Sequence, residues 1–78
     1  MNSNEFTQLN EAAKIEAVLN ATFLADRLID NQYACLYNLD NFYIEVFFDD
    51  RTHYITKFRA FEHTLFVMPY LDGVQIAV

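Results

Sequence analysis

Four small groups of residues in this 78-residue chain are of types that do chemistry. Asp49 and Asp50 precede His53, and carboxylates with an imidazole can hold a divalent ion. Adjacent Asp side chains point to opposite sides of an extended chain, however, and no second ligand pair follows at a fixed spacing. A solvated hairpin loop is the plainer reading. Glu62 and His63 could move a proton between them, yet neighbours on a strand face apart, so a polar turn fits better. Cys35 could be a nucleophile, but a cysteine set between Tyr33 and Tyr37 on an inward face is a small apolar residue and inert. Glu45, Lys57 and Arg59 share a face. They could form an anion site or a carboxylate–lysine pair; a cross-strand ion pair rimming a contact surface is the commoner arrangement. No Gly-rich phosphate loop, Ser–His–Asp order, Cys-x-x-Cys or His-x-x-x-His occurs. The residues therefore assign no catalytic group, metal or cofactor, and the reading leans away from an enzyme.

Composition narrows the partners. A chain of this length makes one domain, 1–78, and buries only about 60% of its extended surface. Cys35 is the only cysteine, so no disulfide can form within the chain, and a reducing, cytoplasmic setting is expected. No charged segment leads into an apolar run at the N-terminus, and no apolar run is long enough to span a membrane. The net charge of −6, with five Lys and Arg, argues against nucleic acid and anionic membranes as partners. That acidity keeps in solution a chain that is 54% hydrophobic.

The elements that must position these residues fall into two halves. From about Glu5 to Asp30 there is no Gly or Pro, and Ala, Leu, Glu and Ile abound, which predicts a helix. Asn2, Ser3 and Asn4 are candidate N-caps, Asn31 is a terminator, and the polar stretch Thr7–Asn10 could recap a second helix. Apolar residues fall on two stripes, one with Ala13, Ala17, Ala21, Leu24 and Leu28, the other with Ala12, Ile15, Leu19 and Phe23. A helix of twenty-five residues spans roughly 38 Å and a seven-residue strand about 23 Å, so the helix should overhang its sheet.

From about residue 33 to 78 the chain reads as a sheet. Tyr33–Leu39 is the first strand and Asp40-Asn41 a two-residue turn. Leu39 then pairs with Phe42, Tyr37 with Ile44, Cys35 with Val46 and Tyr33 with Phe48. A three-residue loop pairing Asp49 with His53 sets Phe48 against Tyr54, Val46 against Thr56, Ile44 against Phe58 and Phe42 against Ala60. Both registers agree on one apolar face for the helix to cover. The other face holds Leu36, Tyr43, Glu45, Phe47, Ile55, Lys57, Arg59 and Phe61, with Glu45 opposite Lys57 and Tyr43 opposite Arg59. Five of these residues are large and apolar where a solvated face should be polar. Exposed together, they would make a contact surface. Beyond them, Leu65–Met68 reads as a fourth strand ended by Pro69, Tyr70–Gly73 as a turn, and 74–78 as a fifth strand. No internal repeat is visible.

The run Phe42-Tyr43-Ile44-Glu45-Val46-Phe47-Phe48-Asp49, then Ile55-Thr56-Lys57-Phe58-Arg59-Ala60-Phe61, then Pro69-Tyr70-Leu71, resembles a short family of uncharacterised bacterial α+β proteins. They share an aromatic-Glu-Val strand, a basic strand ending in Phe and a C-terminal Pro-Tyr-Leu. The resemblance covers the last half of the chain. It implies no activity, and it points to Glu45, Arg59, Phe61, Pro69 and Tyr70 as parts of a common design.

The expected fold is thus α+β, an N-terminal helix packed on one face of a four- to five-stranded antiparallel meander. The expected role is a non-catalytic interaction module that self-associates as a homodimer through the outer sheet face. One alternative is a small-molecule-binding protein or minor enzyme, with Tyr33, Tyr37 and Tyr54 lining a pocket between helix and sheet. Another is an acidic nucleic-acid mimic, although the acids are scattered rather than spaced like phosphates.

Overall fold

The computed structural model describes residues 1–71. In chain order the elements are α1 (Ser3–Thr7), α2 (Glu11–Leu19), β1 (Thr22–Ile29), β2 (Gln32–Leu39), β3 (Phe42–Asp49), β4 (Ile55–Phe61) and a 3-10 helix (Thr64–Leu71). The strands form one antiparallel meander in the order β1-β2-β3-β4. The α+β class and the meander are as expected, with the helices on one face of the sheet.

The single helix over about 5–30 is not present. Asparagine divides it. Asn2 caps α1 in a capping box, taking the Glu5 N–H at 2.8 Å while the Glu5 carboxylate takes the Asn2 N–H at 2.9 Å. Asn10 then caps α2 through the Ala13 N–H at 2.8 Å, so the polar stretch at Thr7–Asn10 is a true break. Asn20 closes α2, and Thr22-Phe23-Leu24 starts a strand where helix was expected. The residues Ala25–Ile29 have good helix propensity, but pairing with β2 overrides that weak preference. β1 and β2 meet at Asp30-Asn31, where Asp30 takes φ 53°; Asp40 at the next turn takes φ 52°. Asp tolerates that left-handed conformation, which two-residue hairpin turns require.

The β2–β3 register is the expected one, with Leu39 opposite Phe42 and Tyr33 opposite Phe48. The β3–β4 register is displaced by two residues, for two separate reasons. The loop is one residue longer than expected, with Asp49 N–H bonded to the Tyr54 carbonyl at 2.9 Å. A bulge then inserts Thr56 between the pairs Phe48–Ile55 and Phe47–Lys57. Each shift alone flips side chains to the opposite face, and together they cancel. Lys57, Arg59 and Phe61 therefore stay on the outer face. Ile55, caught between loop and bulge, moves to the helix side.

Two apolar clusters sandwich the sheet. On the helix side Phe6, Ala17, Phe42, Ile44 and Val46 are buried, with Val18, Ile55 and Phe58 packed against them. Although α1 is only five residues long, it delivers Phe6 to within 6.0 Å of the Phe42 ring and 6.2 Å of Phe58. On the outer side Ala34, Leu36, Phe47, Phe61 and Tyr70 are buried together, with Val67 against them. The expected fourth strand at Leu65–Met68 is thus part of the 3-10 helix. At three residues per turn Val67 and Tyr70 fall on one side, and that side lies on the sheet. The expected fifth strand, 74–78, and the end of the Tyr70–Gly73 turn lie outside the described residues.

Candidate functional site

The outer face, a contact surface if exposed, is covered. Leu36 is 1% exposed, and Phe47 and Phe61 are also buried beneath the 3-10 helix. The local reason is polar. Glu45, on the central strand β3, is 3% exposed, and a buried carboxylate must be paired. Tyr70 donates its hydroxyl to Glu45 Oε2 at 2.6 Å, and Arg59 Nε lies 3.4 Å from Oε1. Burial, then the bond to Glu45, pushes the Tyr70 hydroxyl far above its ordinary value, while nearby Arg27 pulls the other way. The Arg27 guanidinium lies over the Tyr70 ring at 5.2 Å, which holds the covering segment from its other side.

The register shift also changes the expected charge pairs. Glu45 meets Arg59 rather than Lys57. Lys57 stands opposite Phe47 with its ammonium 4.5 Å from the ring, and Tyr43 stacks on Phe61 at 5.6 Å instead of meeting Arg59. Of the eight residues of the expected contact face, Leu36, Glu45, Phe47 and Phe61 are therefore interior. Ile55 belongs to the helix-side cluster. Tyr43 is half-buried, and Lys57 and Arg59 are exposed.

The uncovered surface is on the other side. α2 is nine residues long and reaches only part of the helix-side face. On that face Phe23, Asp26 and Leu28 of β1 lie beside Tyr37, Cys35 and Tyr33 of β2. Leu28 is 62% exposed, Phe23 52% and, at the end of α2, Leu19 79%. Leu24, at a bulge in β1, and Ile15 on α2 are exposed as well. Two grooves run into this apolar area. The smaller, about 180 Å³, lies along α2 between Ile15, Leu19, Tyr37, Phe48 and Phe58. The larger, about 410 Å³, is lined by Tyr33, Cys35, Phe48, Asp49, Asp50 and His53. The three tyrosines expected around one pocket between helix and sheet are thus separated: Tyr37 lines the groove along α2, Tyr33 the other, and Tyr54 lines neither and is exposed.

The reactive candidates have ordinary roles. Burial pushes the Cys35 thiol up, Asp26 adds to this, and a hydrogen bond with Tyr37 only partly reverses it. That is the environment of an inert thiol. Tyr33 donates its hydroxyl to Asp26, and this bond is the main reason its own pKa is pushed up to about 12. Asp49 accepts the N–H groups of Arg51 at 2.8 Å and Thr52 at 2.9 Å, which closes the loop and lowers its pKa. Glu62 accepts the Ser3 hydroxyl at 2.7 Å and ties β4 to α1. Among the described residues no three His, Cys, Asp or Glu side chains come together to hold a metal ion, and no helix is long and apolar enough to cross a membrane.

A sequence signal for β1 was present. Leu28-Ile29-Asp30-Asn31-Gln32-Tyr33 and Asn38-Leu39-Asp40-Asn41-Phe42-Tyr43 share an apolar-Asp-Asn-x-Tyr pattern ten residues apart, the spacing of one eight-residue strand and one turn. Reading both as the same hairpin turn exposes β1, and with it Phe23 and Leu28. In comparisons with known proteins the chain matches no family model, no curated protein and no solved structure.

Proposed function

We propose that this chain is a non-catalytic interaction module that self-associates, and that the contact is the helix-side rim formed by β1 and the end of α2. One observation carries the reading: Leu19, Phe23, Leu24 and Leu28 are all exposed at one edge of the sheet. With Ile15 they offer on the order of 500 Å² of apolar surface, taking about 150–200 Å² per large side chain. Two such rims in contact would remove about 1,000 Å² from water, the lower limit for a specific interface.

Charge favours packing through the apolar faces over edge-to-edge strand pairing. Asp26 lies on the helix side and Arg27 on the outer side of β1. In a two-fold antiparallel pairing with matched faces, the central residue must face its own copy. Registers centred on Asp26 or Arg27 would then set like charges opposite one another, which is destabilising. Light scattering on a sizing column over a range of concentrations tests the reading. A dimer is expected, and Leu28→Asp should shift it to monomer with unchanged circular dichroism. A monomer at every concentration up to about 1 mM, weaker than typical specific contacts, sinks the proposal.

A further inference from the structure

We propose that the groove beside Tyr33 and Phe48 binds a small organic cation with an apolar body, an alkylated or quaternary ammonium. This inference does not rest on self-association. At about 410 Å³ the groove falls within the range of small-ligand pockets. Tyr33 and Phe48 line it, and the buried Cys35 lies among them. Aromatic faces carry negative charge density and attract cations, more strongly where water is excluded.

The charges around the groove agree with the rings. Asp49 and Asp50 line it directly. Asp26 stands across the strand pair from Cys35 and accepts the Tyr33 hydroxyl, which fixes the aromatic wall and adds a third carboxylate. Among the described residues no Lys or Arg is in the lining, and His53 is the one basic side chain there. Arg51, in the loop between Asp50 and His53, is exposed and is not among the lining residues. The other four cations lie over rings away from the groove, Arg27, Lys57 and Arg59 over rings of the outer face and Lys14 over Phe6 and Phe58. An anionic ligand would meet two carboxylates in the lining, with Asp26 behind the Tyr33 hydroxyl. A neutral apolar ligand would use the rings and leave the carboxylates unused. A compact ammonium with methyl groups satisfies both, because its charge is spread over carbon and costs little to desolvate.

Amide chemical shifts of the full chain, titrated with choline and with its uncharged carbon isostere 3,3-dimethyl-1-butanol, test the assignment. Choline is expected to give saturable shifts at Tyr33, Cys35, Phe48 and Asp49, with the alcohol at least tenfold weaker. Asp26→Asn combined with Asp50→Asn should weaken choline at least fivefold and leave the alcohol unchanged. Asparagine still accepts the Tyr33 hydroxyl, so the wall is preserved in this variant. Equal affinity for the two probes would show an apolar groove without charge selection and overturn the proposal. Choline shifts absent, or spread over other residues, would overturn it as well.

Discussion

On the outer face of the sheet, a 3-10 helix carrying Val67 and Tyr70 lies over Leu36, Phe47 and Phe61. On the opposite face two short helices cover the half around Phe42 and Ile44 and leave Phe23 and Leu28 in water. The face with the buried carboxylate at its centre is thus closed, and part of the other, where Asp26 lies between Phe23 and Leu28, is open. The difference lies in what each face needed. Glu45 could be buried only with a partner, and Tyr70 brings both a hydroxyl for the carboxylate and a ring for the apolar rim. The helix-side face had no such demand, so its coverage stops where α2 stops. A buried charge, Glu45, therefore marked the covered surface here, whereas on the open one Asp26 stays exposed beside Phe23 and Leu28 and needs no cover.

Charge inserted into the closed face should have the largest effect. Phe47→Asp places a carboxylate beside Glu45 in a dry cluster and is expected to cost about 4 kcal/mol or more, comparable to the whole stability of a small domain. Loss of cooperative urea unfolding is the expected observation. A folded Phe47→Asp monomer would mean that the outer face is open after all.

Truncation on both faces gives a graded version of the same comparison. Leu36→Ala should cost about 2–5 kcal/mol, the range for a buried leucine. Leu28→Ala, on the open rim, should change stability measured at low concentration by no more than about 0.5 kcal/mol. Urea midpoints of the two variants would settle the contrast. Equal losses would show that Leu28 is core in solution.

How much of this was legible in the sequence depended on how local the cause was. The Asp40-Asn41 turn and the β2–β3 register follow from adjacent residues, and they are as expected. The faces of Lys57, Arg59 and Phe61 were also right, but only because a longer loop and a bulge at Thr56 offset one another. Ile55 lies between the two and shows the error uncancelled. β1 was misread because Ala25–Ile29 carries helix propensity, and strand pairing is a tertiary cause that a local scale does not contain. The cover over the outer face was not legible for a similar reason. Glu45, Phe47 and Tyr70 were each visible, but the contact that joins them spans 25 residues. The groove beside Tyr33 needed two strands and a loop to be placed at once, so Tyr33, Cys35, Asp49, Asp50 and His53 could each be named but not joined.

Removing the hydroxyl that closes the outer face should have an intermediate effect. Tyr70→Phe keeps the ring and leaves Glu45 Oε2 without its donor, at a cost of about 1–3 kcal/mol. The pH dependence identifies the group. The folded pKa of Tyr70 lies above the ordinary 10.0, so the folded state holds that proton more tightly than the unfolded chain. The stabilisation is complete below about pH 10 and is lost as pH rises further. Tyr33 is raised in the same direction, to about 12, on the open face. Stability of the native chain should therefore fall above pH 10, and Tyr70→Phe should remove more of that fall than Tyr33→Phe, whose partner Asp26 is exposed. The reverse order would place the stronger bond on the open face.

The smallest effect tests how the two faces receive their residues. Asp49 closes the β3–β4 loop through the N–H groups of Arg51 and Thr52, and these bonds hold its carboxyl below the ordinary 3.8. A lowered carboxyl contributes stability that is present above that value and lost as pH falls through the folded pKa. Asp49→Asn keeps an acceptor but not the charge, so it should flatten the acid limb of the stability curve by slightly lowering stability at neutral pH, while stability at low pH stays near that of the native chain. Asp49→Ala removes the acceptor too. It frees the loop that sets Ile55 opposite Phe48, and the expected sign is broadened or doubled amide resonances at Thr52–Ile55, with those of Arg59 and Phe61 unaffected. Sharp single resonances throughout in Asp49→Ala would mean that the Thr56 bulge, rather than the loop, decides which face Ile55 occupies.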